Sequence, residues 1–507
     1  MKNKMLLIVS VVALSLLVVL PALAGGISGP GISGIQIQNL DSSSASVVVQ
    51  LYNQTGAGAV TISGASGDTI AGSSAKNYYL PNFSTVADGA YAMVVSSDKR
   101  VAALARTDWN NTGGAGIYVS VEPGTDITIP MALANFAGQT SQFSIQNTNT
   151  NSAINDVKIT LNGRGLTDPV KELLNQTISA GTSKTYNLAD TGVWGTLPDT
   201  ALDLNTKGFV GSVRITSSTP LVVQSFIDIT NSPRSVTAFS GIPTSNAAQS
   251  VFCPLVRANF YGDTGISIVN PNTYDINVDL TFYADGVSPK QGTFTQTIAV
   301  KAKSSNIAFQ GPGGNSRQSP TNLPGGTQNT SNPNYTNDGF FGVAKLSSTS
   351  GTFLAVVNDT AFGTNWIPTS QATYNCLTSA NSGTKFALPL MRKNHVSNLK
   401  LTTGTAIQNV TGSPITVSMD IYNYDGTALP AAKPADITIP AYGSGNFYQG
   451  NLVNVPTVPA NQGGFGWYGS AVVTVQTSGG AVVILVNDSG NGTKKVDAAN
   501  YEGLLMP

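Results

Sequence analysis

Four short stretches decide the fold: Gly34-Ile35-Gln36-Ile37-Gln38-Asn39, Phe143-Ser144-Ile145-Gln146-Asn147, Ile266-Ser267-Ile268-Val269-Asn270 and Thr405-Ala406-Ile407-Gln408-Asn409. In each, apolar and polar residues alternate up to an Asn. A period of two is the signature of a strand with one face buried. A second strand follows each head after a short polar turn, at Val47 to Tyr52, Val157 to Leu161, Val278 to Tyr283 and Val417 to Tyr422. In the last two copies it runs into Asp285-Gly286 and Asp425-Gly426, hairpin dipeptides whose glycine tolerates the positive φ that the turn demands.

The tail of each copy repeats as well: a glycine and an aromatic enter one apolar strand, and a second apolar strand follows. The clearest examples are Gly208-Phe209-Val210-Gly211-Ser212-Val213 with Leu221-Val222-Val223, and Gly339-Phe340-Phe341-Gly342-Val343 with Phe353 to Val357. The fourth copy has Gly466 to Val473 with Ala481 to Val486, and the first has Gly89 to Val95 with Val101 to Leu104. New copies open at Ile129-Pro130-Met131, Cys253-Pro254-Leu255 and Leu388-Pro389-Leu390, where proline suits a strand's first residue or edge. Closing motifs precede unit ends at Phe239-Ser240-Gly241, Tyr374-Asn375-Cys376 and Tyr501-Glu502-Gly503.

A chain of 507 residues therefore divides into four repeats, 25–126, 127–250, 251–384 and 385–507, after an amino-terminal segment 1–24. Repeats of this size, with about seven short strands each, predict an all-β chain of tandem immunoglobulin-like antiparallel β-sandwich domains. Stiff modules in series predict a rod. The one helical candidate is Pro169 to Gln176.

The run from Ile-Gln-Asn heads through Tyr-Asn-x-Asp-Gly hairpins to Gly-Phe-x-Gly-Ser strands resembles the tandem repeats of secreted bacterial surface proteins, over essentially the whole chain beyond residue 24. The resemblance implies sandwich modules at the cell surface or outside it, and brings no catalytic residue with it. The first repeat departs most, with Gln54-Thr55-Gly56 in place of the Asp-Gly hairpin.

Lys2 and Lys4 precede an apolar run from Met5 to Leu20 that closes on Pro21-Ala22-Leu23-Ala24. That pattern predicts a secretory signal peptide cut after Ala24, the alternative being an uncleaved amino-terminal anchor. No second segment is long and apolar enough to span a bilayer, so no membrane span is expected in the mature chain. Only 10% of residues are charged and the formal net charge is zero, which offers nothing to nucleic acid or an anionic membrane.

Chemistry is scarce in the sequence. A Ser-His-Asp site would need His395, the sole histidine, which no second feature marks as catalytic and which is read as a solvated or hydrogen-bonded side chain; zinc would want a cluster of Cys and His that the sequence lacks. The turn Asn487-Asp488-Ser489-Gly490-Asn491-Gly492 is the best calcium candidate, but Ala498 stands where a bidentate Glu belongs. The chain is read as non-enzymatic, without cofactor or metal. Cys253 and Cys376 open and close the third repeat, and a disulfide between them is expected in an exported chain, against free thiols or bridges to other molecules. Trp194 and Trp366 are candidate ligand-facing aromatics, because ring faces stack on sugars, against a role in the core or at an interface, and Trp194 with Leu197 fits a connection that folds back on its own unit. Gly311 to Asp338 is a polar insertion, either flexible or an interaction loop. Two function classes follow. One is a structural or adhesive surface protein, in a surface layer, sheath or filament, acting by self-association or through other cell-surface components. The other is a secreted carbohydrate- or protein-binding module, with polysaccharide among its candidate partners.

Overall fold

A computed structural model describes residues 16–19 and 31–506, apart from 54–58, 65–66, 110–113, 120, 122, 202–206, 230–234, 261, 311–338, 363–367, 398, 460–463 and 491–497. Every pairing between its named strands is antiparallel, and the strands form four sandwiches of two sheets each. One sheet of each unit pairs the opening strand, the first tail strand and the second strand. The opening strands are Leu16–Val19, Gly124–Ala134, Ser250–Ala258 and Lys385–Lys393. The facing sheet pairs the head strand (Gly31–Asn39, Gln139–Asn147, Asp263–Val269, Leu401–Asn409) with the second tail strand and then with an edge strand. Those edge strands, called axial below, are Gly114–Val119, Ser235–Ser240, Pro368–Asn375 and Ala499–Glu502. In the second unit both tail strands are one continuous strand, Phe209–Ile229, which crosses from sheet to sheet. The second unit begins earlier than the sequence suggests, since residue 126 lies inside Gly124–Ala134.

The Asn that ends each head motif does the same work four times. Asn39 Nδ2 donates to the carbonyls of Ser43, Ile70 and Ala71, and its Oδ1 accepts from Asp41 N. Asn147 bonds Ser152, Ile178, Ser179 and Asn149; Asn270 bonds Tyr274, Val300, Lys301 and Asn272; Asn409 bonds Ser413, Ile439, Pro440 and Thr411. All four are fully buried. Each ties the turn after the head strand to the strand across the sandwich, satisfying carbonyls that would otherwise be buried without partners.

Pro130, Pro254 and Pro389 sit at bulges, where the register slips between Ile129 and Ala132, Cys253 and Val256, and Leu388 and Met391. A bulge spares the ladder the donor that proline lacks. Asn135, Asn259 and Asn394 then turn the chain with φ of 53°, 52° and 50°, the left-handed region that Asn tolerates better than most residues.

Three expectations are corrected. Pro169–Ile178 is a strand, because the open edge of Ile154–Gly163 takes it into the ladder over any local helical pattern. The only α-helix among the described residues is Thr191–Trp194, capped by Asp190, whose carboxylate accepts from Gly192 N at 2.9 Å. Positive φ is needed at Gly426 (85°) but not at Gly286.

The third correction concerns shape. The units close a ring instead of extending as a rod: each axial strand packs against the axial strands of two neighbours, first to second, second to third, third to fourth and fourth to first. The hydrophobic cores follow the same circuit. Phe226, Val236 and Ala238 of the second unit pack into the core of the first, Val356 of the third into the second, Leu485 of the fourth into the third, and Leu104, Ile117 and Val119 of the first into the fourth.

Candidate functional site at the junctions between units

Close approach at the axis depends on small residues. A Cβ on Gly114 would lie 2.9 Å from Val236 Cβ, and one on Gly116 would lie 3.0 Å from Ala238 Cβ, so the first and second axial strands touch nearly backbone to side chain. Around the rest of the axis hydrogen bonds take over. Asn375 Nδ2 donates to Ser240 O at 3.0 Å, Asn375 N donates to Glu502 Oε1 at 3.2 Å, and Gln371 Nε2 donates to Gln139 Oε1 at 3.0 Å. Burial pushes the Glu502 carboxyl above its ordinary range, and the N–H bonds it accepts only partly oppose this.

The fourth-to-first junction is closed by charge. Arg106 of the first unit donates to Asp488 Oδ2 of the fourth at 2.6 Å, and Arg392 donates to the same oxygen at 3.0 Å. Arg106 also grips Asp108 at 2.7 Å. Burial lowers the affinity of Arg392 for its proton, and Asp488 opposes that. Asp488 and Arg106 are almost wholly buried, and each has a partner in its own unit, Arg392 and Asp108, to which the bond across the junction is added.

The pair has a counterpart in the third unit, where Arg257 holds Asp359 through two bonds of 2.5 and 2.8 Å. Burial, the largest influence, pushes the Asp359 carboxyl up while Arg257 pulls it down. At the same two positions the second unit carries Leu133 and Ile227, both buried in its core. The equivalence is fixed by register. Leu133, Arg257 and Arg392 each donate their backbone N–H to a hydroxyl of the head strand, that of Ser141, Thr264 and Thr403, and those residues lie opposite Ile227, Asp359 and Asp488.

At the periphery the hairpin after each second strand reaches the next unit. Gly181 packs on Tyr52; Ser304 Oγ donates to Gly163 O at 3.1 Å; Ser444 Oγ and Asn446 Nδ2 donate to Asp285 Oδ2 at 2.5 and 2.9 Å; and Gly426 packs on Ser74. The hairpins read from the sequence as turns are therefore also the outer contacts of the ring.

Of the residues singled out in the sequence, Cys253 and Cys376 form a disulfide with their Cα atoms 4.6 Å apart. Where Cys376 stands, the second and fourth units have Gly241 and Gly503, and a Cβ on Gly503 would lie 3.3 Å from Leu388 Cδ2. The bond thus occupies a contact that elsewhere is glycine against an aliphatic side chain. Trp194 is not ligand-facing: it is 2% exposed, packs with Phe143 and Tyr186, and donates its Nε1–H to Asn187 O at 2.8 Å. The Asn187 to Gly208 connection folds its one tryptophan inward because the helix Thr191–Trp194 lays it over the core of its own unit. Trp366, Ala24 and the insertion Gly311 to Asp338 lie outside the described residues. His395 packs against Tyr468 with ring centroids 4.8 Å apart and the planes tilted by 53°. The described part of the calcium-candidate turn, Asn487 to Gly490, is the end of strand Val482–Gly490, with its carboxylate Asp488 held by two arginines. Sequence reading missed Arg106, Asp285 and Asp488 as junction residues; the recurrence of Arg at 257 and 392 after the opening proline was the available signal.

One groove of about 180 Å³ lies on the fourth unit, lined by Lys433, Asn446, Tyr448, Gln449, Asn451 and Val453 among others. Tyr448 is 57% exposed, while Gln449 is fully buried and its Oε1 has no protein partner. Among the described residues no group of three or more His, Cys, Asp and Glu is placed to hold a metal, and no helix is long and apolar enough to cross a membrane.

No family model and no curated relative matches the chain. Two solved structures resemble it weakly. One, described as "Biofilm associated protein - B domain", is 8% identical, with 79% of this chain and 80% of that one covered and a TM-score of 0.16. The other, "Biofilm associated protein - BSP domain", is also 8% identical, covers 94% and 91%, and has a TM-score of 0.14. Likenesses of that degree carry no argument about arrangement or role.

Proposed function

We propose that the chain is a non-catalytic structural or adhesive component of a bacterial cell surface, exported through its amino-terminal leader and working by association with copies of itself or with other surface components. The observation that supports this reading is the closed circuit of buried junctions. Charged and amide groups that in an enzyme would line an accessible cleft are here spent between units: Arg106 with Asp488, Asp285 with Ser444, Asn375 with Glu502. The product is a rigid block whose faces carry little charge, with 26 basic and 26 acidic residues in the whole chain. Negative-stain electron microscopy of the secreted protein over a range of concentration tests the reading. Ordered sheets or filaments built of four-lobed particles are expected. Isolated particles at every concentration, with or without cell-wall material, would overturn it.

The groove beside Tyr448 supports a second reading, sugar binding, because the exposed tyrosine borders a groove lined by the amides Asn446 and Asn451. Saturable glycan binding lost in both Tyr448→Ala and Asn451→Ala would favour it.

A further inference from the structure

The first unit draws its opening strand from the leader. Leu16–Val19 pairs antiparallel with Tyr91–Ser97, with Val18 opposite Met93 and Val19 opposite Ala92. That is the place filled in the other units by Gly124–Ala134, Ser250–Ala258 and Lys385–Lys393, where Ile129, Cys253 and Leu388 stand opposite Val213, Ala344 and Ala471. The leader also carries the matching run: Leu20-Pro21-Ala22-Leu23 compares with Ile129-Pro130-Met131-Ala132, Cys253-Pro254-Leu255-Val256 and Leu388-Pro389-Leu390-Met391. The pairing is two residues away from the alignment of the prolines, an even shift that preserves the parity of the strand.

Two further features mark this place as one that needs a strand. In the third and fourth units the axial tyrosine exchanges two hydrogen bonds with one residue of its own opening strand. Tyr374 Oη donates to Leu255 O at 2.5 Å and accepts from Leu255 N at 3.1 Å; Tyr501 Oη donates to Leu390 O at 2.7 Å and accepts from Leu390 N at 3.3 Å. Tyr118 is the axial tyrosine of the first unit, fully buried at the same point. The other edge of Tyr91–Ser97 is already paired with Ala45–Asn53, so its remaining N–H and C=O groups are open only towards the leader. The place also lies at a junction. Opening strands elsewhere lie across the following unit, as where Pro130 O accepts from Ser267 Oγ at 2.7 Å, and Leu16–Val19 lies against Phe209–Ile229 of the second unit.

The same segment has the composition of a disposable leader. We propose that cleavage after Ala24 turns the edge of Tyr91–Ser97 into a strand-acceptor groove, filled in the mature protein by an extended aliphatic segment of another polypeptide through β-augmentation. The occupant is defined by the strands that fill the equivalent places: a short run with aliphatic or aromatic residues at alternate positions, leading into a proline. An unpaired edge above an apolar core invites such a partner, since ladder bonds supply affinity and the core side supplies selectivity. This gives the proposed surface block a directional connection, and it rests on removal of the leader.

Intact mass of the secreted protein separates that premise from the rest. A start at Gly25 is expected; a start at or before Leu16 would overturn the acceptor groove while leaving the ring and its surface role untouched. The leaderless chain is then titrated with a fluorescent peptide of residues 385–393, Lys-Phe-Ala-Leu-Pro-Leu-Met-Arg-Lys. Saturable binding of one peptide per chain is expected, with a Tm that rises with peptide concentration. The Leu388→Asp peptide should bind about a hundredfold more weakly, because a carboxylate would enter the core unpaired. Chain that retains its leader should not bind. A leaderless chain that regains cooperative unfolding only when refolded with the peptide also supports the proposal. A leaderless chain that folds and shows no saturable binding would overturn it.

Discussion

Arg106 and Asp488 lie 382 positions apart in the chain and 2.6 Å apart in the structure, both almost wholly buried. Their contact joins the fourth unit to the first and so closes the ring. Replacing Arg106 by Met should leave Asp488 with Arg392 alone and cost about 3 to 5 kcal/mol, the usual penalty for breaking a buried pair. In denaturant titration followed by tryptophan fluorescence, the variant is expected to unfold at lower concentration, with the first and fourth units losing protection from hydrogen exchange first.

The Arg257–Asp359 pair should be dispensable as a pair but not singly. The second unit carries Leu133 and Ile227 in the same two places, so the double variant Arg257→Leu, Asp359→Ile is expected to fall within about 1 kcal/mol of the parent or to exceed it. Arg257→Leu alone should lose about 3 to 5 kcal/mol, because Asp359 is then buried without its cation. A double variant as unstable as the single one would show that the two places are not equivalent.

Each head-strand Asn holds three carbonyls, and loss of the donor leaves them buried. Asn147→Ala is expected to cost about 3 kcal/mol, a sum of unmet hydrogen bonds tempered by relaxation. Asn147→Asp should be worse above the carboxyl titration range, where an anion would face the same three oxygens. Thermal unfolding of both variants at pH 4 and pH 7 checks the order.

Glu502 should make the ring less stable as pH rises. Its carboxyl is held above the ordinary range, so the folded chain binds that proton more tightly than the unfolded chain does. The sign follows from linkage: the contribution is most favourable below the ordinary carboxyl range and is lost as pH climbs through that range to the raised value. Glu502→Gln keeps an oxygen to accept from Asn375 N and removes the titration. Its unfolding midpoint should exceed the parent's at pH 7.5 and match it near pH 4.

Reduction of Cys253–Cys376 opens a loop of 123 residues, for which the chain-entropy model gives about 5 kcal/mol. The double variant Cys253→Leu, Cys376→Gly copies the fourth unit's Leu388 and Gly503 and should recover part of that loss by packing. Denaturant midpoints of oxidised, reduced and double-variant protein give the comparison.

The strands were legible because alternation is a local property, and the head motifs and tail glycines recur four times at matching points. Trp194 is open to either reading in the sequence, ligand face or core, because only the helix at Thr191–Trp194 turns an aromatic of a long connection inward. Ring closure left no local trace. It depends on Arg106 meeting Asp488 and on Gly114 lying against Val236, and neither encounter follows from the spacing of residues within one unit. The head asparagines were visible as markers of the repeat, yet their role appears only when the carbonyls about thirty positions downstream fold back over them.

Small-angle X-ray scattering of the monomeric protein tests ring closure most directly. A closed ring is a compact body, and a compact chain of this length has a radius of gyration of about 23 Å. The account predicts a value near that, with a single-peaked distance distribution, and an increase in Arg106→Met. A long-tailed distribution from an extended body of four modules in series would contradict it.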